Sequence, residues 1–131
     1  MTEKSIERLA QCHPDLIKLF VQASKHRSLI VTCGHRGKEE QDRMFAEGKS
    51  KVKFPDSKHN SVPSMAADFC PVVNGQPMWG IEYVLPLGGF IMGLGAALGL
   101  SLRWGHDWDG DGEWKDQTFH DRVHIELLEK G

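Results

Sequence analysis

The sequence lacks several features that are typical of specialised classes of protein. It holds 3 cysteines among 131 residues and no Cys-x-x-Cys pair, which excludes a disulfide-stabilised secreted module. Cys12, Cys33 and Cys70 are interpreted as small apolar residues of a protein from a reducing compartment. The formal net charge of −2 lacks the basic excess of nucleic-acid-binding domains. We therefore expect no nucleic-acid partner.

A long uninterrupted apolar run is also missing. The most apolar stretch, VLPLGGFIMGLGAALGL at residues 84–100, is short for a membrane-spanning helix and contains Pro86 and five glycines. The first residues, MTEKSIERLAQCHPDL, lack the apolar centre of a signal peptide. We interpret residues 84–100 as part of a buried helix and expect no stable association with a membrane.

What remains is the composition of an ordinary globular domain. Hydrophobic residues make up 40% and charged residues 26% of the chain, which suits one domain, residues 1–131, with a single core. Periodicity and turn residues predict helical residues 5–25 interrupted at His13-Pro14, a strand at 29–33, a helix from Lys38 to Gly48, a strand at 65–73, a turn at 74–77, a helix at about 81–99, and strands at 100–105 and 122–128. This mixture predicts a compact α+β domain, with a small antiparallel sheet flanked by helices. We expect it to be a monomer.

The segment SKHNSVPSMAADF, residues 57–69, contains the first chemical signal. His59 lies among loop-forming residues, and Asp68 lies in an apolar run, where an unpaired carboxylate is costly to bury. Asp68 can point to solvent, cap a turn before Pro71, or have a cation or several donors as partners. Imidazole and carboxylate groups bind zinc, and a catalytic zinc site uses three protein ligands. His59 and Asp68 supply two candidates.

Candidates for the third ligand lie in HDRVHIEL, residues 120–127. A helix here would place His120 and His124 on one face with Asp121 between them, a pattern similar to His-Glu-x-x-His. A strand would need only His124 as a ligand. The apolar side chains at 123, 125 and 127 alternate along the segment, which favours the strand.

Five motifs occur in the order found in a known family. They are Gly-His-Arg at 34–36 followed by Gln41, Ser-Lys-His at 57–59, Ala-Ala-Asp at 66–68, Arg-Trp-Gly-His-Asp-Trp at 103–108 and Asp-Arg-Val-His-Ile-Glu at 121–126. Over about residues 8–128 the chain resembles the zinc D,D-/L,D-peptidases that share a fold with hedgehog, and especially the phage endolysins of that group. It departs from many members in the longer spacing, eight residues, between His59 and Asp68. A longer loop is implied there.

The resemblance implies roles for five residues. His59, Asp68 and His124 would bind zinc. Asp121 would act as general base and general acid, taking a proton from water and delivering it to the leaving amine. Arg36 would stabilise the oxyanion that develops on the scissile carbonyl.

Other roles are less closely tied to the motifs. Without the family, Arg36 is as well explained by a surface ion pair with Glu39 or Glu40. Ser57 and His106 are expected to bind the substrate, and capping of a loop is the alternative role of Ser57.

Two charged segments each allow a structural and a functional interpretation. Asp107, Asp109 and Asp111 match the first, third and fifth positions of a calcium loop, but a threonine occupies the twelfth position. This segment is therefore either a calcium-binding loop or an acidic turn in contact with solvent. The lysine-rich residues 49–58 form either a solvated loop or a surface for an anionic polymer.

The resemblance also implies a function. We expect a zinc metallopeptidase that cleaves peptidoglycan stem peptides at the L-Ala–D-Glu bond, as the endolysin of a phage or prophage. It would be made in the host cytoplasm and reach the cell wall through a separate membrane-permeabilising protein. Two alternatives are a D-Ala–D-Ala carboxypeptidase or dipeptidase on the same scaffold, and a non-catalytic metal-binding module. The presence of Asp121 and Arg36 argues against the module.

Overall fold

The computed structural model describes residues 1–105 and 121–128. In chain order the elements are α1 (Glu3–Ala10), α2 (Pro14–Ser24), β1 (Leu29–Cys33), α3 (Lys38–Ala46), a 3-10 turn (Lys58–Asn60), β2 (Ala66–Val73), β3 (Gln76–Pro77), α4 (Ile81–Ala97), β4 (Leu102–Gly105) and β5 (Asp121–Leu127). The helices and strands predicted from the sequence are present at nearly the expected positions. The α+β prediction is confirmed.

The first two helices begin at residues that suit helix N-termini. The Thr2 hydroxyl accepts a hydrogen bond from Ser5 N at 3.1 Å and so caps α1. Pro14 opens α2, where a missing N–H costs nothing. His13 precedes it, and its Nδ1 accepts from Asp15 N at 3.0 Å. The break predicted at His13-Pro14 is therefore a change from one helix to the next.

The sheet places β2 beside β5, the two strands that carry predicted zinc ligands. The strand order is β1-β2-β5-β4, each neighbouring pair is antiparallel, and β3 pairs with β2. Asn74 and Gly75 both have positive φ, 51° and 78°, which is the backbone that a tight two-residue hairpin requires. The ladder between β2 and β5 pairs Asp68 directly with His124.

The glycine-rich helix α4 covers the sheet. It packs across β2, β4 and β5, and α2 packs against it, with the largest fully buried side chains contributed by Leu16, Leu19, Phe20, Phe69, Ile91 and Ile125. A Cβ at Gly88 would overlap the ring of Trp104, and one at Gly95 would overlap Leu102. These two glycines therefore let α4 approach β4 closely. No helix in the described part of the chain is long and apolar enough to cross a membrane.

The three cysteines are free thiols, as the sequence predicts. Cys12 and Cys70 are buried, whereas Cys33 is half-buried at the end of β1. The interpretation as small buried residues therefore holds for two of them. Cys33 lies beside charged groups instead.

The segment that supplies the third predicted ligand is a strand. Residues 121–127 form β5, so the helical His-Asp-x-x-His alternative is wrong. His106, His120 and the acidic turn with Asp107, Asp109 and Asp111 lie outside the described residues, as does the side chain of Asp121.

Candidate active site

The register of the sheet brings three chemically active residues into one row. A bulge in β1 between Val31 and Cys33 sets Cys33 opposite Asp68 on β2, and Asp68 in turn pairs with His124 on β5. Directly paired residues of an antiparallel sheet have Cβ atoms about 4.5–5.5 Å apart. Cys33, Asp68 and His124 therefore form a short row across three strands.

His59 reaches this row from the 3-10 turn. Ser57 caps the turn, because its hydroxyl accepts from His59 N at 3.2 Å while the Asn60 side-chain oxygen accepts from Ser57 N at 3.0 Å. The Asn60 amide also donates to the backbone oxygen of Arg36 at 3.0 Å, which ties the turn to the segment after β1. The longer loop between His59 and Asp68 therefore still allows the imidazole of His59 to lie beside the carboxylate of Asp68.

The three predicted zinc ligands meet at this point. His59 Nε2 lies 3.1 Å from Asp68 Oδ1, His124 Nδ1 lies 3.2 Å from the same oxygen, and the two nitrogens are 3.1 Å apart. A tetrahedral zinc ion with bonds of about 2.0–2.1 Å sets its ligands about 3.3 Å apart. Two imidazoles and one carboxylate at this mutual spacing fit zinc.

Outer hydrogen bonds fix how both imidazoles are turned. His59 Nδ1 donates to the backbone oxygen of Gly34 at 2.7 Å, and His124 Nε2 donates to Glu126 Oε1 at 2.8 Å. Glu126 is buried and is also bound by Arg103 Nη2 at 2.9 Å. A metal-binding imidazole commonly donates its second N–H to a carbonyl or a carboxylate in this way. Because the outer nitrogen of each ring keeps its proton in these bonds, the inner nitrogens beside Asp68 would be free of protons and available to a metal ion.

The charges in the cluster depend on one another. Burial alone would lower the pKa of each imidazole, but the Asp68 carboxylate raises the pKa of His59 to about 10. For His124, the bonds to Asp68 and Glu126 outweigh burial and raise the pKa to about 9. Burial would raise the pKa of Asp68, yet the two imidazoles hold it well below its ordinary range. Positive charge on the imidazole side of the carboxylate, from a proton or a metal ion, would therefore stabilise its charged form.

Cys33 offers a further donor atom. Its Sγ lies within 4.8 Å of ligand atoms of His59 and Asp68, so that these three residues are also compatible with a metal site. The sulfur is 3.8 Å from His59 Nδ1, the nitrogen that donates to Gly34, whereas Nε2 faces Asp68 and His124. Cys33 therefore lies beside the outer side of the imidazole. Residue chemistry and motif order do not single out Cys33, because only the bulge in β1 brings it opposite Asp68.

Arg36 is buried and faces the cluster. Its Nη2 lies 3.7 Å from Asp68 Oδ2, and its Nη1 donates to Gln41 Oε1 at 3.0 Å. The residue is only 6% exposed. This placement rules out the alternative of a surface ion pair with Glu39 or Glu40. Gln41 is fully buried, and its role as the partner of Arg36 does not follow from the sequence alone.

The cluster lies in the wall of a cleft of about 570 Å³. Its lining includes Arg36, Ser57 and the three predicted zinc ligands. The cap formed by Ser57 agrees with the alternative role given to it, and its position in the cleft is compatible with substrate binding as well. Asp121 begins β5, and its backbone pairs with Gly105 three residues before His124.

Comparison with known proteins shows the family to which this chain belongs. Residues 1–128 match the family model described as phage L-alanyl-D-glutamate peptidase. The L-alanyl-D-glutamate peptidase of Escherichia phage T5 is 31% identical over 132 residues, which covers 96% of each chain. The crystal structure of the L-Ala D-Glu endopeptidase ChiX of Serratia marcescens is similar with a TM-score of 0.79 at 23% identity, over 98% of this chain and 89% of that one. The structural likeness confirms the fold.

The fold and the cluster define a small α+β domain whose sheet carries a histidine–aspartate site suited to a metal ion. The chain belongs to the phage L-alanyl-D-glutamate peptidase family, as the order of its motifs implies. The matched residues, 1–128, include all three predicted zinc ligands together with Arg36 and Asp121.

Proposed function

We propose that this chain is a zinc-dependent peptidase that hydrolyses the L-Ala–D-Glu bond in peptidoglycan stem peptides. Family membership supports the bond, and one observation supports the chemistry. That observation is the mutual contact of His59 Nε2, Asp68 Oδ1 and His124 Nδ1 within 3.2 Å in the wall of a cleft. A non-catalytic metal-binding module has no need of the buried Arg36 beside such a site.

Zinc held by His59, Asp68 and His124 would activate water as a nucleophile and polarise the scissile carbonyl. Arg36 is proposed to stabilise the negative charge that develops on the carbonyl oxygen. The proposal is supported by the place of Arg36 in the lining of the cleft, with its Nη2 3.7 Å from Asp68 Oδ2, which puts a fixed positive charge beside the predicted metal site.

Proton transfer is assigned to Asp121. A carboxylate close to the attacking water takes its proton and delivers it to the leaving amine, which is needed because an amide nitrogen leaves poorly without a proton. The assignment is supported by the position of Asp121 at the start of β5, three residues before His124. Glu126 is not proposed for this role, because hydrogen bonds to His124 and Arg103 already occupy its carboxylate.

The function is tested by digesting purified muropeptides and identifying the new termini by mass spectrometry. We expect products that end in a free L-Ala carboxyl group and begin with a free D-Glu amine. The His59→Ala variant is the control and should give no products. Release of D-Ala from the end of the stem peptide would instead establish the D-Ala–D-Ala carboxypeptidase alternative.

The biological setting is proposed by the same reasoning. As a phage endolysin the protein would be made in the host cytoplasm, act as a monomer, and reach its partner, peptidoglycan, after a separate protein permeabilises the membrane.

Calcium binding by Asp107, Asp109 and Asp111 stays a prediction. Titration calorimetry on the zinc-loaded protein should show a calcium-dependent heat that Asp109→Ala together with Asp111→Ala abolishes, and the absence of any heat would leave a solvated acidic turn.

A further inference from the structure

Among the described residues, cations outnumber acids in the lining of the cleft beside the predicted zinc site. Its acidic lining residues are Asp56, Asp68 and Glu126, and its cationic lining residues are Arg36, Lys49, Lys51, Lys58 and Arg103. Two of these acids are already engaged, since Asp68 contacts both imidazoles and Arg36, and Glu126 binds His124 and Arg103. The described part of the lining is therefore net cationic.

Three of these cations, Lys49, Lys51 and Lys58, are here called the lysine wall. Lys49 is largely exposed, with its Nζ 3.8 Å from Glu47 Oε1. Lys58 belongs to the 3-10 turn and immediately precedes the predicted ligand His59. All three lysines line the same cleft as the predicted zinc ligands.

The backbone beneath the lysine wall is held in place. Gln41 Nε2 donates to Ser50 Oγ at 2.9 Å and to Val52 O at 2.8 Å, and Lys49 N donates to Met44 O at 2.8 Å. The Ser57 cap fixes the start of the turn that carries Lys58. An anchored backbone lowers the entropy lost when the lysine side chains order around a ligand. This distinguishes the segment from a freely solvated loop.

The charges of the substrate lie on one side of the bond proposed to be cut. D-Glutamate continues the stem peptide through its side-chain carboxyl group, so its α-carboxylate stays free directly beside the scissile amide. The carboxylates further along the stem peptide lie on the same side, whereas L-Ala and the sugar to which it is linked carry no charge. A cationic wall beside the metal site therefore complements only the D-Glu side of the bond.

Resting on the proposed function, we propose that the lysine wall binds the free α-carboxylate of D-glutamate and so selects stem peptides in which this group is not amidated. Each ammonium is a compact charge on a flexible stem, suited to attracting a carboxylate without demanding a fixed geometry. The lysine wall thus also orients the substrate, with the uncharged L-Ala side placed away from it.

The test uses two stem peptides that differ in one group. One carries D-glutamate with its free α-carboxylate, and the other carries D-isoglutamine, in which that group is an uncharged amide. Wild type should show a value of kcat/KM about tenfold higher for the acid. Lys58→Met and Lys49→Met should each lower kcat/KM for the acid about threefold and leave the value for the amide unchanged. Lys18→Met, an exposed lysine on α2 away from the cleft, is the matched control.

Each outcome either supports or contradicts the proposed role of the lysine wall. If wild type cleaves both peptides equally well, or if Lys58→Met lowers both rates equally, the lysine wall does not recognise the carboxylate. The same follows if Lys18→Met reproduces the loss. The amide peptide and the zinc content of each variant separate a charge effect from damage to the neighbouring metal site. If neither peptide is cut between L-Ala and the following residue, the proposed function fails instead.

Discussion

At the scale of single residues, the donor atoms around Asp68 indicate which side chains would hold a metal ion. His124 Nδ1 and His59 Nε2 lie within 3.2 Å of Asp68 Oδ1, whereas the Cys33 sulfur lies beside the nitrogen of His59 that already donates to Gly34. The hydrogen bond to Gly34 would have to break before that nitrogen could serve a metal together with Cys33. The geometry therefore favours the histidine–aspartate set over a site that includes the thiol.

We predict about one zinc ion per chain in wild type and in Cys33→Ser, and loss of zinc in His124→Asn. The loss follows because a site with three protein ligands is reduced to two. Metal content is measured on protein purified at neutral pH, with circular dichroism as the check on folding. If Cys33→Ser loses zinc as completely as His124→Asn does, the thiol is a ligand and the set proposed here is wrong.

Asp121 is predicted to take part in the chemistry and not in metal binding. Asp121→Asn removes the proton acceptor and keeps the size of the side chain, so kcat should fall by on the order of 100-fold or more. Zinc content should stay at the wild-type level. Near-normal turnover in this variant would transfer the proton-transfer role to another carboxylate, with Glu126 the next to be tested by the corresponding Glu126→Gln change.

At the scale of structural elements, Gln41 on α3 connects the site to the segment after that helix. Its Oε1 accepts from Arg36 Nη1 and from Asn60 Nδ2, and its Nε2 donates to Ser50 and Val52, so all four hydrogen-bonding positions of the amide are used. The residue is fully buried. The side chain of Gln41 therefore fixes the position of the Arg36 guanidinium relative to the wall of the cleft.

Two substitutions of Gln41 separate these connections. Gln41→Met removes the connection to Arg36 and the connection to the cleft wall. Each buried donor left without a partner costs about 1–3 kcal/mol, so the free energy of unfolding and kcat should both fall. Gln41→Glu keeps the acceptor for Arg36 but loses the donors to Ser50 and Val52, so it should chiefly raise KM. Steady-state kinetics and thermal unfolding measure both. Lower stability with unchanged kcat and KM in both variants would limit Gln41 to a structural role.

The elements also show how far the sequence alone predicts this molecule. The strands at β1, β2 and β5 follow from their β-branched and alternating residues, and α4 follows from its apolar length in spite of its glycines. His59, Asp68 and His124 could be chosen from residue chemistry and motif order. The position of Cys33 could not, because a single-residue bulge in β1 decides which side chain faces Asp68. The contacts of Gln41 with Ser50 and Val52 depend on the path of a loop, which periodicity does not describe.

At the scale of the whole molecule, the cluster links stability to pH. In the metal-free chain the pKa values of His59 and His124, about 10 and about 9, lie above the ordinary 6.5 of an unfolded histidine. The folded state therefore binds more protons than the unfolded state between these values. The stabilisation is complete below about pH 6.5 and is lost as the pH rises towards 9–10. The metal-free protein should become less stable over that range.

Zinc binding should reverse this trend, which gives the last prediction. Because zinc needs unprotonated imidazole nitrogens, its binding displaces at least one proton and strengthens as the pH rises. Each displaced proton contributes about 1.4 kcal/mol per pH unit, or about 5 °C in unfolding temperature for a domain of this size. The difference in unfolding temperature between zinc-loaded and metal-free protein should therefore widen from pH 6 to pH 8. His124→Asn serves as the control and should show little difference at any pH. A gap that stays constant in wild type would mean that zinc displaces no proton from this cluster, and the metal would have to bind elsewhere.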